Sequence, residues 1–158
     1  MKTYHSNTMR SDSCPSRPIS TFPSSPGISE PTETLLVVDD DPMVRDMEAH
    51  ILRLQGYQVL EAEGAVKALR LAREAAAIHL LITDFSMPEV DGLELTRRFR
   101  AVHRKIPVLM VSGSLPSIQN RADDLDRFEI LAKPFQNGEL LHKVRTLLDA
   151  VAPLPRRE

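Results

Sequence analysis

Three short apolar runs, each followed at once by charged residues, constrain the fold of this chain more than any other feature. The three aspartates 39–41 follow run 35–38, Asp84 follows run 80–83, and Lys133 follows run 130–132. Short apolar runs bounded in this way predict fully buried strands of a parallel sheet. In such a sheet the ligand crevice lies outside the carboxyl ends of the strands. We therefore expect an acidic cluster with one lysine beside it, a combination that suits a divalent cation and a phosphoryl group.

From Thr34 onward, apolar runs alternate with amphipathic stretches. The pattern predicts strands near 35–39, 57–61, 79–83, 106–111 and 128–132. Helices are predicted between and after them, with apolar stripes at helical spacing. The stripes contain Val44, Met47, Ile51 and Leu54 in the helix over 42–55; Val66, Leu69 and Ala72 in the helix over 64–75; Leu95, Phe99 and Val102 in the third helix; and Leu140, Val144, Leu147 and Leu148 in the last. A short or irregular helix is expected within 115–126. Five strands alternating with five helices predict a doubly wound α/β sandwich with helices on both faces.

The remaining segments predict one domain with two tails. Residues 1–33 are rich in Ser, Pro and Thr without periodicity, and we expect them to be disordered. Residues 34–150 are expected to form the folded domain, and 151–158 are too few to form another. Cys14 is the single cysteine and has no disulfide partner in the chain, which favours a reducing cytoplasm.

Charge and hydropathy argue against two classes of partner, nucleic acids and membranes. The chain has 20 basic and 22 acidic side chains, which argues against a dedicated nucleic-acid binder. No apolar stretch is long enough to cross a bilayer, and no secretory signal precedes the domain, so no membrane association is expected.

The charged residues after the apolar runs have ordinary structural explanations when each is taken alone. Asp41 followed by Pro42 is typical of a helix N-cap and first helical position, and Asp84 is typical of a turn after a strand. Taken together they favour a cation site, since several carboxylates that share one crevice repel each other unless a cation compensates. Magnesium prefers a few carboxylates, a carbonyl and retained waters.

The same residues suit phosphoryl transfer to a carboxylate. Asp84 is the candidate nucleophile, which would form an aspartyl phosphate. Lys133 is a compact cation that pairs with a carboxylate and then with a phosphoryl oxygen. Its bond to Pro134 is a candidate cis peptide bond. Ser112 follows the fourth predicted strand, and its hydroxyl is a candidate donor to a phosphoryl oxygen.

The segment from about Thr34 to Ala150 resembles the receiver domain of two-component response regulators. The resemblance rests on the order of four motifs, which are Leu-Val-Val-Asp-Asp-Asp-Pro at 36–42, Thr-Asp-Phe-Ser-Met-Pro-Glu-Val-Asp-Gly at 83–92, Val-Ser-Gly at 111–113 and Lys-Pro-Phe at 133–135. It implies a flavodoxin-like parallel sheet of five strands in the order 2-1-3-4-5.

The resemblance also implies roles for individual residues. Asp84 would accept a phosphoryl group from a phosphohistidine on a sensor histidine kinase or a histidine phosphotransfer protein. Mg²⁺, or alternatively Mn²⁺, would be held by Asp40 and Asp84, by Asp39 through water, and by the backbone carbonyl of Ser86. Ser112 would be the switch hydroxyl and Lys133 the phosphate-pairing lysine. The five histidines of this chain lack metal-ligand spacing, so the donor histidine is expected on another molecule.

Several positions depart from the family pattern. Ile130 stands three residues before the lysine, where many relatives carry Tyr or Phe, so the aromatic switch is absent or replaced. Ser112 stands where threonine is common. The segment 123–131 looks more like the receivers attached to hybrid sensor kinases. These departures affect the expected output face more than the phosphoryl chemistry.

The leading interpretation is a stand-alone receiver, a phosphorylation-controlled switch that catalyses only its own phosphorylation and dephosphorylation and signals to a downstream protein that the sequence does not identify. One alternative is a receiver fold used as a constitutive binding module. Another is a phosphatase of the haloacid-dehalogenase type, a class typified by a strand that ends in an Asp-x-Asp motif. In this chain Ser86, and not an acid, stands two residues beyond Asp84.

Overall fold

A computed structural model of the chain describes residues 33–114 and 128–151. The strands are β1 (Thr34–Val38), β2 (Gln58–Ala62), β3 (Leu80–Asp84), β4 (Val108–Ser112) and β5 (Phe128–Ala132). The helices of the described residues are α1 (Pro42–Leu54), α2 (Ala65–Glu74), α3 (Gly92–Val102) and α4 (Asn137–Asp149). Each strand begins and ends within two residues of its expected bounds. The helix expected within 115–126 lies outside the described residues, as do the predicted tails 1–33 and 151–158 apart from residues 33 and 151.

All the strands are parallel and form one sheet in the order β2-β1-β3-β4-β5, which confirms the predicted architecture. In this register Val38 lies opposite Thr83, and Asp84 lies opposite Val111. On the far side of β4, Ser112 lies opposite Ala132. The residues at the carboxyl ends of β1, β3 and β5 are therefore brought together at the same end of the sheet.

The central strands are apolar at nearly every position because both faces of the sheet are covered. In β1, Leu35 and Val37 belong to a core that also contains residues of α1 and α4. Leu36 and Val38 face the opposite way, into a core shared with α2 and α3. Since successive side chains of a strand point to opposite faces, burial on both sides requires an uninterrupted apolar run.

The beginning of α1 follows the prediction. The side chain of Asp41 accepts hydrogen bonds from the backbone N–H groups of Met43 and Val44, and Pro42 occupies the first turn. A capping carboxylate and a proline are both favourable where the first backbone donors lack helical partners. α1 and α4 have 13 residues each. No helix in the described ranges combines the length and the apolar character needed to cross a membrane.

The buried face of α1 differs from the predicted stripe. Met47 and Leu54 are exposed, whereas Glu48, Ala49, Ile51 and Leu52 are buried. The buried face is thus rotated by about 100°, one residue position, from the stripe of large apolar side chains. Val66 on α2 and Val102 on α3 are exposed as well. The prediction was wrong at these positions because it followed the large apolar side chains, whereas on α1 the small Ala49 and the acid Glu48 belong to the buried face.

Candidate functional site

The amino group of Lys133 joins two carboxylates that lie far apart in the sequence. Its Nζ donates to Asp84 Oδ1 at 2.7 Å and to Asp39 Oδ2 at 3.3 Å. Asp39 is only 2% exposed and Asp84 8%. The backbone N–H of Lys133 donates to the carbonyl of Ser112 at 2.8 Å, and the Lys133–Pro134 peptide bond is cis. The sheet edge thus holds two buried acids around one ammonium group.

Burial and pairing set the charge state of this cluster. Burial raises the pKa of the Asp39 carboxyl above its usual value, and this outweighs the opposing effects of the Asp41 backbone N–H and Lys133. Burial alone would lower the pKa of the Lys133 amino group, but its hydrogen bond to Asp84 and the charges of both aspartates raise it. The lysine therefore stays protonated and serves as the counter-ion of the buried acids.

Local hydrogen bonds fix the position of Asp39 at the end of β1. Its Oδ1 accepts from the backbone N–H of Asp41 at 2.8 Å, and its carbonyl accepts from Arg45 Nη1 at 2.8 Å. The start of α1 and the end of β1 are thereby tied together. With Oδ1 held by the backbone, Oδ2 is the oxygen that faces Lys133.

Asp40 and Ser86, the other predicted cation ligands, are both exposed. Asp40 lines an adjacent crevice of about 240 Å³ together with Met87, Pro88 and Glu89 from the loop after β3. Among the described residues, Asp40 forms no ion pair with another side chain. Its carboxylate is therefore available to a ligand that enters from this crevice.

The oxygen atoms at this site suit a hard cation that keeps most of its waters better than a cation surrounded entirely by protein ligands. Across 33–114 and 128–151, no three acidic, imidazole or thiol side chains come close enough to enclose a metal ion by themselves. Magnesium needs only a few protein oxygens and keeps several waters. The predicted ligands Asp40, Asp84 and the carbonyl of Ser86 would supply that number of oxygens. The residues present thus fit Mg²⁺.

Ser112 and Ile130 lie beside the cluster on β4 and β5. Ser112 is buried, its Oγ accepts from the Ser114 backbone N–H at 3.0 Å, and its hydroxyl donates to the Ser114 carbonyl at 3.3 Å. Ile130 is half-buried and packs against a small apolar group that includes Phe85 and Met110. An aliphatic side chain therefore occupies the position where the family pattern has Tyr or Phe.

The start of α3 lies directly against the backbone of Asp84. Gly92 donates its backbone N–H to the Phe85 carbonyl at 2.9 Å. A β-carbon at Gly92 would lie 2.5 Å from the Asp84 carbonyl oxygen and 2.6 Å from Met110 Sδ. Only glycine fits this approach, and the carbonyl of Asp84 also accepts from the buried hydroxyl of Thr83 at 3.0 Å.

Sequence reasoning missed one acidic residue of this region, Glu48. It is 2% exposed on α1, and Oε1 finds no hydrogen-bond partner in the described part of the chain. Burial raises its pKa to about 7, with the charges of Asp39 and Asp84 adding to the effect and Lys133 opposing it. The sequence carried a signal, since Glu48 lies four residues from both Val44 and Leu52 at helical spacing.

Comparisons with known proteins agree with this geometry. The family model described as "Response regulator receiver domain" matches residues 35–145. Among curated proteins, the chain is 34% identical over 126 residues to the "DNA-binding dual master transcriptional regulator RpaA" of Synechocystis, covering 77% of this chain and 52% of that protein. It is 36% identical over 121 residues to "Response regulator MprA" of Mycobacterium sp. strain KMS, covering 75% and 52%. The chain thus spans about half the length of these relatives.

Solved structures show the same architecture. The receiver domain of the hybrid histidine kinase CckA is 34% identical, with a TM-score of 0.63, covering 73% of this chain and 98% of that one. The Vibrio cholerae chemotaxis protein CheY4 is 28% identical, with a TM-score of 0.69, covering 74% and 99%. The receiver domain of the Pseudomonas aeruginosa sensor histidine kinase PA1611, whose structure has a magnesium ion coordinated in the active site cleft, is 26% identical, with a TM-score of 0.67, covering 75% and 98%.

Proposed function

This chain belongs to the response regulator receiver domain family, and on that premise we propose that it accepts a phosphoryl group on Asp84 from a phosphohistidine of a partner protein. The observation that carries the proposal is the contact of Lys133 Nζ with Asp84 Oδ1, which pairs Asp84 with the lysine ammonium group at the carboxyl ends of the strands. Asp84 is 8% exposed, so the rest of the protein covers most of this carboxylate. Accepting one phosphoryl group per chain makes this a signalling domain and not a turnover enzyme.

Each residue of the site has a separate role in the transfer. An oxygen of the Asp84 carboxylate attacks phosphorus, a P–O bond forms, the P–N bond of the phosphohistidine breaks, and the imidazole leaves and takes up a proton. Lys133 moves from the carboxylate to a phosphoryl oxygen, and the Ser112 hydroxyl donates to another. Asp40, Asp84 and the Ser86 carbonyl would hold Mg²⁺, or alternatively Mn²⁺, with Asp39 acting through water. The cation would neutralise charge on the transferring group.

The outer face of α1 supports a protein as the phosphoryl donor. Met43, Met47 and Leu54 are 81%, 45% and 70% exposed. Their spacing of four and seven residues places them on one stripe, which begins two residues after the capping Asp41. An exposed apolar stripe beside a charged site is typical of a protein-binding surface. We propose that the histidine kinase or phosphotransfer protein docks there.

Ile130 and its neighbours support a downstream switch without the aromatic residue. Ile130 contacts the small apolar group that includes Phe85, the residue after the phosphoacceptor. Movement of the Ser112 hydroxyl toward the phosphoryl group would reach β5 through the bond from the Lys133 backbone N–H to the Ser112 carbonyl. We propose that the partner-binding surface changes through these contacts.

The test is labelling with a small phosphodonor. The wild-type chain, incubated with acetyl phosphate and Mg²⁺, should gain one acid-labile phosphoryl group by intact mass, and Asp84→Asn should gain none. Asp46→Asn, an exposed substitution on α1, is the matched control and should label normally. Asp40→Ala should weaken Mg²⁺ binding by calorimetry roughly tenfold or more, since the cation loses a direct carboxylate.

The outcomes separate the competing functions. A phosphoryl group that persists in Asp84→Asn would show that Asp84 is not the nucleophile. A wild-type chain that binds partners but never becomes labelled would be a constitutive binding module. Continuous release of inorganic phosphate from many small phosphoesters would indicate a phosphatase.

A further inference from the structure

Four different parts of the chain hold Asp39 at the end of β1. Its backbone N–H donates to the Ala62 carbonyl at 3.2 Å, and its Oδ1 accepts from the backbone N–H of Asp41 at 2.8 Å. Its Oδ2 faces Lys133 at 3.3 Å, and its own carbonyl accepts from Arg45 Nη1 at 2.8 Å. Of these partners, Arg45 is the one side chain with no part in the proposed phosphoryl chemistry.

The hydrogen bond from Arg45 acts on the peptide unit that joins two predicted cation ligands. The carbonyl of Asp39 and the backbone N–H of Asp40 belong to one planar group, so a donor that fixes this carbonyl also fixes the direction in which the chain continues. β1 ends at Val38, and Asp40 lies between that strand and the capping residue of α1. The placement of the Asp40 side chain therefore depends on this peptide unit.

Glu61 holds the Arg45 guanidinium from the other side. Arg45 Nε lies 3.8 Å from Glu61 Oε2, and the Arg45 side chain is only 17% exposed. Glu61 stands on β2 opposite Val37, and its Oε1 accepts from Arg53 Nη2 at 2.6 Å. Because the guanidinium is planar and rigid, the contact at Nε and the hydrogen bond at Nη1 orient it as a whole.

We propose that Arg45 is a positioning residue of the phosphoryl-acceptor site. Held by Glu61, it orients the peptide unit between Asp39 and Asp40 for cation binding. The role rests on the proposed function, in which Asp40 is a cation ligand. The positive charge of Arg45 by itself would repel a cation, so its charge and its positioning act in opposite directions. Removal of Arg45 thus weakens Mg²⁺ binding through positioning, whereas an effect of charge alone would strengthen it.

The experiment measures Mg²⁺ affinity by calorimetry on the whole chain. Arg45→Met removes the donor and the charge but keeps an unbranched side chain, and affinity should fall about tenfold, as is typical when a group that orients a metal ligand is lost. Arg45→Lys keeps the charge and an ammonium donor, so it should recover part of this loss.

Arg53→Met is the matched control. Arg53 lies on the same helix, contacts the same Glu61 and donates to the Val59 carbonyl at 2.9 Å. The substitution removes the same charge and a hydrogen bond to a backbone carbonyl, but no contact of Asp39, so Mg²⁺ affinity should stay within about twofold of the wild type. Because both variants should lose similar stability to urea, a fall in affinity confined to Arg45→Met is not a general loss of the fold.

The backbone amide signal of Asp40 in a ¹⁵N spectrum reports on the peptide unit without any cation. It should shift in Arg45→Met and stay in place in Arg53→Met. Unchanged or tighter Mg²⁺ binding by Arg45→Met, or an equal fall in the two variants, would overturn the inference, as would a wild-type chain that binds no Mg²⁺. Acetyl phosphate labelling of the wild type is measured in parallel. If Mg²⁺ binds but no label appears, the proposed function fails, whereas the two variants still decide the role of Arg45.

Discussion

Replacement of Glu48 should raise the stability of the fold, and by an amount that depends on pH. The pKa of this carboxyl is about 7 in the folded protein, against a usual value of 4.5. Between these values the unfolded chain releases the proton and the folded protein keeps it, so stability falls as pH rises from 4.5 to 7 and is constant above. A difference of 2.5 units at about 1.4 kcal/mol per unit gives roughly 3 kcal/mol. Glu48→Gln carries no charge and escapes this loss.

The free energy of unfolding is measured with urea at several values between about pH 5 and pH 8, where the linkage predicts the change. The chain has no tryptophan, so far-UV circular dichroism is the suitable signal. The difference between Glu48→Gln and wild type should grow from less than about 1 kcal/mol at the acidic end to about 3 kcal/mol at the alkaline end. Asp46→Asn, on the exposed side of α1, should run parallel to the wild type. If Glu48→Gln also runs parallel, the buried carboxyl is not held neutral and the reasoning is wrong.

Two further predictions concern packing and docking. Gly92→Ala would bring a β-carbon to 2.5 Å from the Asp84 carbonyl oxygen and should lower the stability to urea by about 2 kcal/mol or more, whereas Gly138→Ala, with nothing within 4 Å, should leave stability unchanged or raise it by about 0.5 kcal/mol. Equal losses in both would show that α3 has room to shift. Met47→Glu should slow phosphotransfer from a histidine kinase or phosphotransfer protein about fivefold or more without changing labelling by acetyl phosphate. Val102 on α3 has the same 45% exposure, and Val102→Glu should slow neither phosphotransfer nor acetyl phosphate labelling. If both substitutions slow phosphotransfer equally, the partner does not dock on α1.

The architecture was predictable where the two layers of helices leave a strand no exposed face. β1 and β3 are apolar along most of their length because alternate residues enter opposite cores. The meeting of Lys133 with Asp39 and Asp84, 94 and 49 residues away, also followed from the sequence. It needed no knowledge of side-chain geometry, since parallel strands place their carboxyl ends at one edge.

Other features depend on distances that no local pattern contains. Two residues of the predicted α1 stripe, Met47 and Leu54, are exposed, because the buried face is rotated toward Ala49 by packing that the local pattern does not contain. Glu48 was missed for the same reason. The requirement for glycine at position 92 appears only when Met110, from another strand, is known to lie beside it.

The contact between Gly92 and the main chain of Asp84 has a mechanical consequence. The backbone of the helix and the backbone of the strand end meet here without clearance, so no side chain lies between them that could absorb a displacement. Close-packed interiors transmit strain instead of damping it. We therefore expect any shift of the main chain at Asp84 to move the first turn of α3 with it.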